Sequence, residues 1–301
     1  MMSEPNRDEI SRIITDLRIW FRSYAMHPAC VDVAFIGNTS GHYTSTPGLM
    51  VDFDAFVFVN QMDAAVGQPL ADLRERSTRE CDALGIDFDL RIIEGPYKPA
   101  ITILRRPALV VHLGVFTEAL YLAAPPLKRF AWRKYICERE PGRLARLAPT
   151  RPTLAEFVTG PKGLRERCAA INDGSVEMTE WLLPGLQAKR FAITLEQTNF
   201  AECCFAYAAN TARNHIRALG LTEADQLGNS EFFAWYNETI FRSPDLIELM
   251  DYKAACREQG FVLQVARARD LALRYMQALE QHLVQSQPAA SDARVQLAPD
   301  C

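Results

Sequence analysis

Apolar positions follow two rhythms in the first 120 residues and one thereafter. Ile10, Ile13, Ile14, Leu17, Trp20, Phe21 and Tyr24 recur every three or four residues, one stripe of an amphipathic helix over 6–25. Asn6, with Glu9 three residues on, gives that helix a capping-box start, and His27-Pro28 ends it. Apolar runs at 31–36 and 50–59 predict strands, joined through a polar loop at 41–49 that holds His42 and Tyr43. A helix is predicted over 68–84, stopped by Gly85. Residues 86–93 alternate strictly, the pattern of a half-buried strand. A further pair of strands is predicted within 97–116, the last over 108–116.

Four prolines and two glycines at 140–161 break the pattern and read as a linker. Beyond them helices are predicted at 162–171, 175–190, 194–219, 230–241, 243–258 and 261–285, with no strand. The expected fold class is α+β, with a mixed sheet in residues 1–148, a helical bundle in 149–286 and a disordered tail at 287–301.

Composition narrows the function classes. Hydrophobic residues make up 49% and charged residues 23%, ordinary values for a globular chain. A net charge of −4 argues against a general nucleic-acid binder, which needs a basic excess. Eight cysteines are scattered without a Cys-x-x-Cys pair, which argues against structural zinc. No signal peptide and no bilayer-length apolar run is seen, so a cytoplasmic protein without a membrane partner is expected. The sequence does not fix the oligomeric state, a homodimer included.

The candidate chemistry lies at 31–59. An apolar run ends in Gly37-Asn38-Thr39-Ser40-Gly41, and the next strand carries Asp52 and Asp54. Residues i and i+2 of a strand share a face, so two carboxylates stand side by side. They repel unless a cation or a proton intervenes, and a hard divalent ion suits carboxylate oxygens, Mg²⁺ first. The turn offers N–H and hydroxyl donors that suit phosphate.

This order of elements resembles the polymerase β-like nucleotidyltransferase superfamily, in particular its small-molecule and antibiotic nucleotidyltransferases. Gly37 fills the family's glycine position, Asn38 stands where Ser or Gly is usual, and Asp52 and Asp54 fill the Asp-x-Asp pair. The resemblance covers roughly the first 120 residues. It implies transfer of a nucleoside monophosphate from a nucleoside triphosphate, ATP among the candidates, to a hydroxyl of a small-molecule acceptor, with release of pyrophosphate. It further implies two Mg²⁺ ions, with Mn²⁺ as the alternative, held by Asp52, Asp54 and a third acid. Gly37, Asn38, Thr39 and Ser40 would hold the phosphates.

Asp89 is preferred over Asp87 as that third acid, because its Phe-Asp-Leu flanks look better buried. His112, on the later strand, is the rival occupant; imidazole is a poor Mg²⁺ ligand. Lys98 and the basic stretch Lys128, Arg129, Arg133, Lys134 and Arg139 are further candidate phosphate contacts. Tyr207, Asn210, Arg213, Asn214 and Arg217 are candidates to line an acceptor site, and Glu202 or Glu238 to supply a base. Two other readings stand beside transfer: a degenerate module that senses a nucleotide without turnover, and RNA-directed nucleotide addition.

Overall fold

The two apolar runs of the N-terminal third form an antiparallel pair, β1 (Cys30–Ile36) and β2 (Met50–Val59), in register from Asp32↔Phe58 to Ile36↔Asp54, with a shift between Cys30 and Asp32. The computed structural model describes residues 4–36, 50–95, 107–124, 127, 135–137, 139–140, 142–147, 151–221, 223–224, 227–259 and 263–286. Five more strands complete one mixed sheet: β3 (Asp87–Glu94), β4 (Ala108–Phe116), β5 (Tyr135–Cys137), β6 (Ser175–Leu182) and β7 (Gln187–Thr194). Their order is β5-β1-β2-β4-β3-β6-β7. β4 lies between β2 and β3 and is parallel to both, while β5 and β6 join antiparallel at β1 and β3.

Strand alternation decides what the sheet's two faces carry. Val33 and Phe35 of β1, Phe53, Ala55 and Val57 of β2, Leu90 and Ile92 of β3, and Leu109, Val111 and Leu113 of β4 turn to one side. There they pack on α1 (Glu4–Tyr24) through Ile13, Leu17 and Phe21, and on α2 (Ala64–Ala83) through Val66, Leu70 and Leu73. Helix α2 begins four residues ahead of the predicted start, because the Asp63 carboxylate accepts from the N–H groups of Ala65 and Val66. Pro69 lies inside the helix. The alternate residues, Asp52, Asp54 and Phe56 among them, project from the opposite face.

After α3 (Glu118–Ala123), α4 (Arg143–Leu147) and α5 (Leu154–Thr159), the chain forms α6 (Leu164–Asn172), the β6–β7 hairpin, and α7 (Phe200–Leu219), α8 (Asn229–Thr239), α9 (Pro244–Gln259) and α10 (Val265–Ser286). The expected helix over 175–190 is therefore corrected: that span lies in the hairpin. Pro184 and Gly185 make a helix there expensive, about 3 kcal/mol for the proline alone. Val176 and Met178 alternate inward and are buried. The hairpin pairs with β3 at Ile93↔Glu180 and Glu94↔Thr179, so strand pairing crosses residue 149.

The hairpin turn also seats on α2. A Cβ at Gly67 would run into the backbone carbonyl of Pro184, while Leu186 is buried in the α1/α2 core. Gly67→Ala gains up to about 1 kcal/mol of helix propensity. The clash is with backbone rather than a flexible side-chain end, so it outweighs that gain, and a net loss of about 1–3 kcal/mol is expected. Urea unfolding of the two proteins measures it; a stabilised variant would show that the turn yields freely.

Helices α7 and α10 centre the second core, with Ala208, Ala212, Ala272, Tyr275 and Met276 buried. His215 lies inside it, stacked on Phe157 at 5.4 Å with Nδ1 2.9 Å from the Tyr236 hydroxyl. Burial, aided by His282, pushes its pKa down to about 4 from the ordinary 6.5. The folded imidazole stays neutral where the unfolded one takes a proton. Stability is thus full above about pH 6.5 and falls as the pH drops towards 4, by about 3 kcal/mol in all. Urea midpoints measured from pH 7 to pH 4 should trace that fall, and His215→Phe should flatten it.

One buried acid ties the β5–α4 segment to the sheet. Asp32, fully buried in β1, accepts from the N–H groups of Val33 (2.8 Å), Arg139 (2.9 Å) and Glu140 (3.0 Å) and from Arg143 Nε (3.1 Å). Arg143 also pairs with Glu118, at the start of α3, and with Glu140.

Candidate functional site

Asp52 and Asp54 project together from the sheet face opposite the α1/α2 core, as their spacing in β2 requires. Asp54 lies beside Ile36, the residue that leads into the glycine turn. Ile36 is in turn paired with Tyr135, which lies within the basic stretch. The carboxylate pair, the strand leading to the turn and the short strand inside the basic stretch thus meet at one end of the sheet. Gly37, Asn38, Thr39, Ser40, His42, Tyr43, Lys98 and residues 128–134 lie outside the described residues.

Strand order decides the neighbours of the pair on the other side. β4 is next to β2, and its register sets His112 opposite Asp54 and Val110 opposite Asp52. Asp54 Oδ1 is 3.3 Å from His112 Nδ1. An ionised carboxylate only accepts, so in this contact Nδ1–H is the donor to an ionised Asp54. The other ring nitrogen, Nε2, is buried and has no hydrogen-bond partner among the described residues.

Asp89 is one strand further out, in the row Asp52–Val110–Asp89. With strands about 4.8 Å apart, β4 separates the two carboxylates by about 10 Å at the backbone. Asp89 is instead occupied by Arg91, whose Nε lies 3.0 and 3.1 Å from its two oxygens. Arg91 Nη1 is 3.9 Å from Glu180 of β6. Asp87 is a row further along, opposite Ala108. The structure therefore brings Asp52, Asp54 and His112 onto neighbouring strands and leaves Asp89 outside that group. His112, the rival occupant, holds the place expected for the third acid.

Beyond this row the face is aromatic. Phe56 and Phe116 meet edge to face at 5.5 Å across Gly114. A Cβ at Gly114 would lie 2.5 Å from Phe116 and 2.7 Å from Phe56, so only glycine lets both rings close over the β4 backbone.

The helical candidates are engaged in packing. Glu202 is buried in an ion pair with Lys253, and Glu238 is exposed. Tyr207, Asn214 and Arg217 are buried, and Arg213 stacks on Phe232 at 3.9 Å. Arg91 was missed in the sequence, although it continues the i, i+2 series of Asp87 and Asp89. Asp32 and Arg143 gave no local signal.

Two of the three neighbouring side chains fit a hard divalent ion, since carboxylate oxygens are its ordinary ligands. The imidazole does not fit the all-oxygen set that Mg²⁺ prefers. Among the described residues no three His, Cys, Asp or Glu side chains are grouped so as to hold a metal by themselves. No helix among them is long and apolar enough to cross a membrane. Compared with protein-family models, curated proteins and solved structures, the chain matches none.

Proposed function

We propose that this protein binds a nucleoside triphosphate with a divalent cation at Asp52 and Asp54 and transfers the nucleoside monophosphate to a hydroxyl of a small acceptor. The observation that supports this reading most is the meeting, at one sheet end, of the carboxylate pair with the strand that enters the glycine turn. Asp52 and Asp54 would hold the cation, Mg²⁺ being the ion the family resemblance implies. A cation there supplies charge neutralisation on the triphosphate. Gly37, Asn38, Thr39 and Ser40 would hold phosphate oxygens through N–H and hydroxyl donors. Phe56 and Phe116 offer an apolar floor beside the charged row. The pyrophosphate leaves opposite the attacking hydroxyl in an in-line displacement.

A second reading is favoured by His112: a module that binds the nucleotide and does not turn it over. The position next to the pair carries an imidazole where transfer chemistry in the resembled family uses an acid. The two are separated by incubating the protein with each common ribonucleoside triphosphate, Mg²⁺ or Mn²⁺, and a panel of hydroxyl-bearing small molecules. Pyrophosphate release that depends on an acceptor supports transfer. Calorimetric binding without any pyrophosphate supports sensing. Absence of binding in every combination refutes both.

A further inference from the structure

We propose that the helical core binds a monovalent inorganic anion, chloride being the probe, on the Nε–H of Arg167. This is a site other than the charged sheet face, and it stands whether or not that face transfers a nucleotide.

The first argument is charge. Arg167 lies on α6 and is only 6% exposed. Burial lowers its pKa to about 10, still well above neutral pH, so the guanidinium keeps its charge. The groups around it do not balance that charge. Nη1 donates to the Thr211 hydroxyl at 3.1 Å, and that hydroxyl donates to the Met276 sulfur at 3.6 Å. Tyr207 presents its ring at 5.7 Å. Burial pushes the Tyr207 phenol up to about 12 and the Tyr275 phenol well above its ordinary value, so both are neutral. Glu166, the adjacent acid, acts only at a distance and is itself paired with Lys162. Arg217, also buried, is near enough to lower the Arg167 pKa further, so the second charge here has the same sign. An ionised group buried without its counter-charge is among the most costly defects a core can carry.

The second argument is the hydrogen-bond count. Arg167 Nε is buried and meets no acceptor among the described residues. The same holds for Nδ2 of Asn214, one turn beyond Thr211 on α7. Both orphans are donors, so what this region lacks is an acceptor. Water would satisfy the N–H group; an anion satisfies it and neutralises the guanidinium as well. Arg167 offers the ligand one N–H, which suits a halide. An oxyanion would bring further oxygens to a place where the Nη1 group and the Thr211 hydroxyl already bond each other.

Two measurements on the whole chain test this. Crystals soaked in bromide should show an anomalous peak within hydrogen-bond reach of Arg167 Nε. In solution, chloride is raised at constant ionic strength with gluconate as the balancing ion. Each tenfold rise above the dissociation constant should lift Tm of the wild type by about 2 °C. Arg167→Met keeps the apolar stem without the charge, and should lose both the peak and the chloride dependence. Absence of bromide at Nε in the wild type overturns the inference and needs no variant to fold. A folded Arg167→Met protein that keeps the chloride slope also overturns it, since the ion would then act elsewhere.

Discussion

Asp52→Asn and Asp54→Asn should each lose metal-dependent triphosphate binding while the protein remains folded. Both side chains are half-buried and neither belongs to the apolar core on the other face, so the isosteric variants should stay folded. Partners that merely orient a metal ligand cost about 10–100-fold in affinity when removed, and a group on the ion itself should cost more. Asp89→Ala provides the contrast. Its carboxylate binds Arg91 and lies across β4 from the pair, so triphosphate affinity should be unchanged. Calorimetry with a nonhydrolysable triphosphate and Mn²⁺ or Mg²⁺ reads all three variants. Unchanged affinity in both the Asp52 and Asp54 variants would remove the site from this face of the sheet.

The second large effect is on stability. Asp32→Ala should destabilise the protein by about 3–5 kcal/mol, the usual cost of breaking a buried ion pair from one side. Removing the carboxylate strands the nearly buried guanidinium of Arg143 and the N–H groups of Arg139 and Glu140. Glu118 and Glu140 still neutralise part of the Arg143 charge, which argues for the lower part of that range. Against a total stability of about 5–15 kcal/mol, the loss should be plain as a shift of the urea midpoint. A shift worth less than about 1 kcal/mol would mean that water replaces the carboxylate without difficulty.

What was legible in the sequence depended on how local its cause was. Helix α1, strands β2 and β4 and helix α10 were visible because their apolar spacing is repeated over many residues. The Asp52–Asp54 pair was visible because i and i+2 in a strand share a face whatever else the chain does. The hairpin at 175–194 was misread, although Leu183-Pro184-Gly185 is a turn signal in the middle of the assigned helix. The occupant of the third place depended on which strand lies next to β2, and that order is set by packing between distant segments. A reading by chain order reaches Asp89 first; the sheet places β4, and His112, in between. Asp32 meets its partners more than a hundred positions later, at Arg139, Glu140 and Arg143, and no periodicity announces such a contact.

β3 joins β6 through its last two residues alone, and among the described residues no other strand pairs with that side of Asp87–Ile92. A bare strand edge is a template on which another chain can add, and proteins that persist in solution guard against it with charge. Asp87, Asp89 and Arg91 place alternating acid, acid and base along this edge. A strand added there would set its own side chains beside these three charges. The Asp-Phe-Asp repeat and Arg91 thus place charge where, among the described residues, no strand pairs, a pattern that disfavours strand addition and requires no metal.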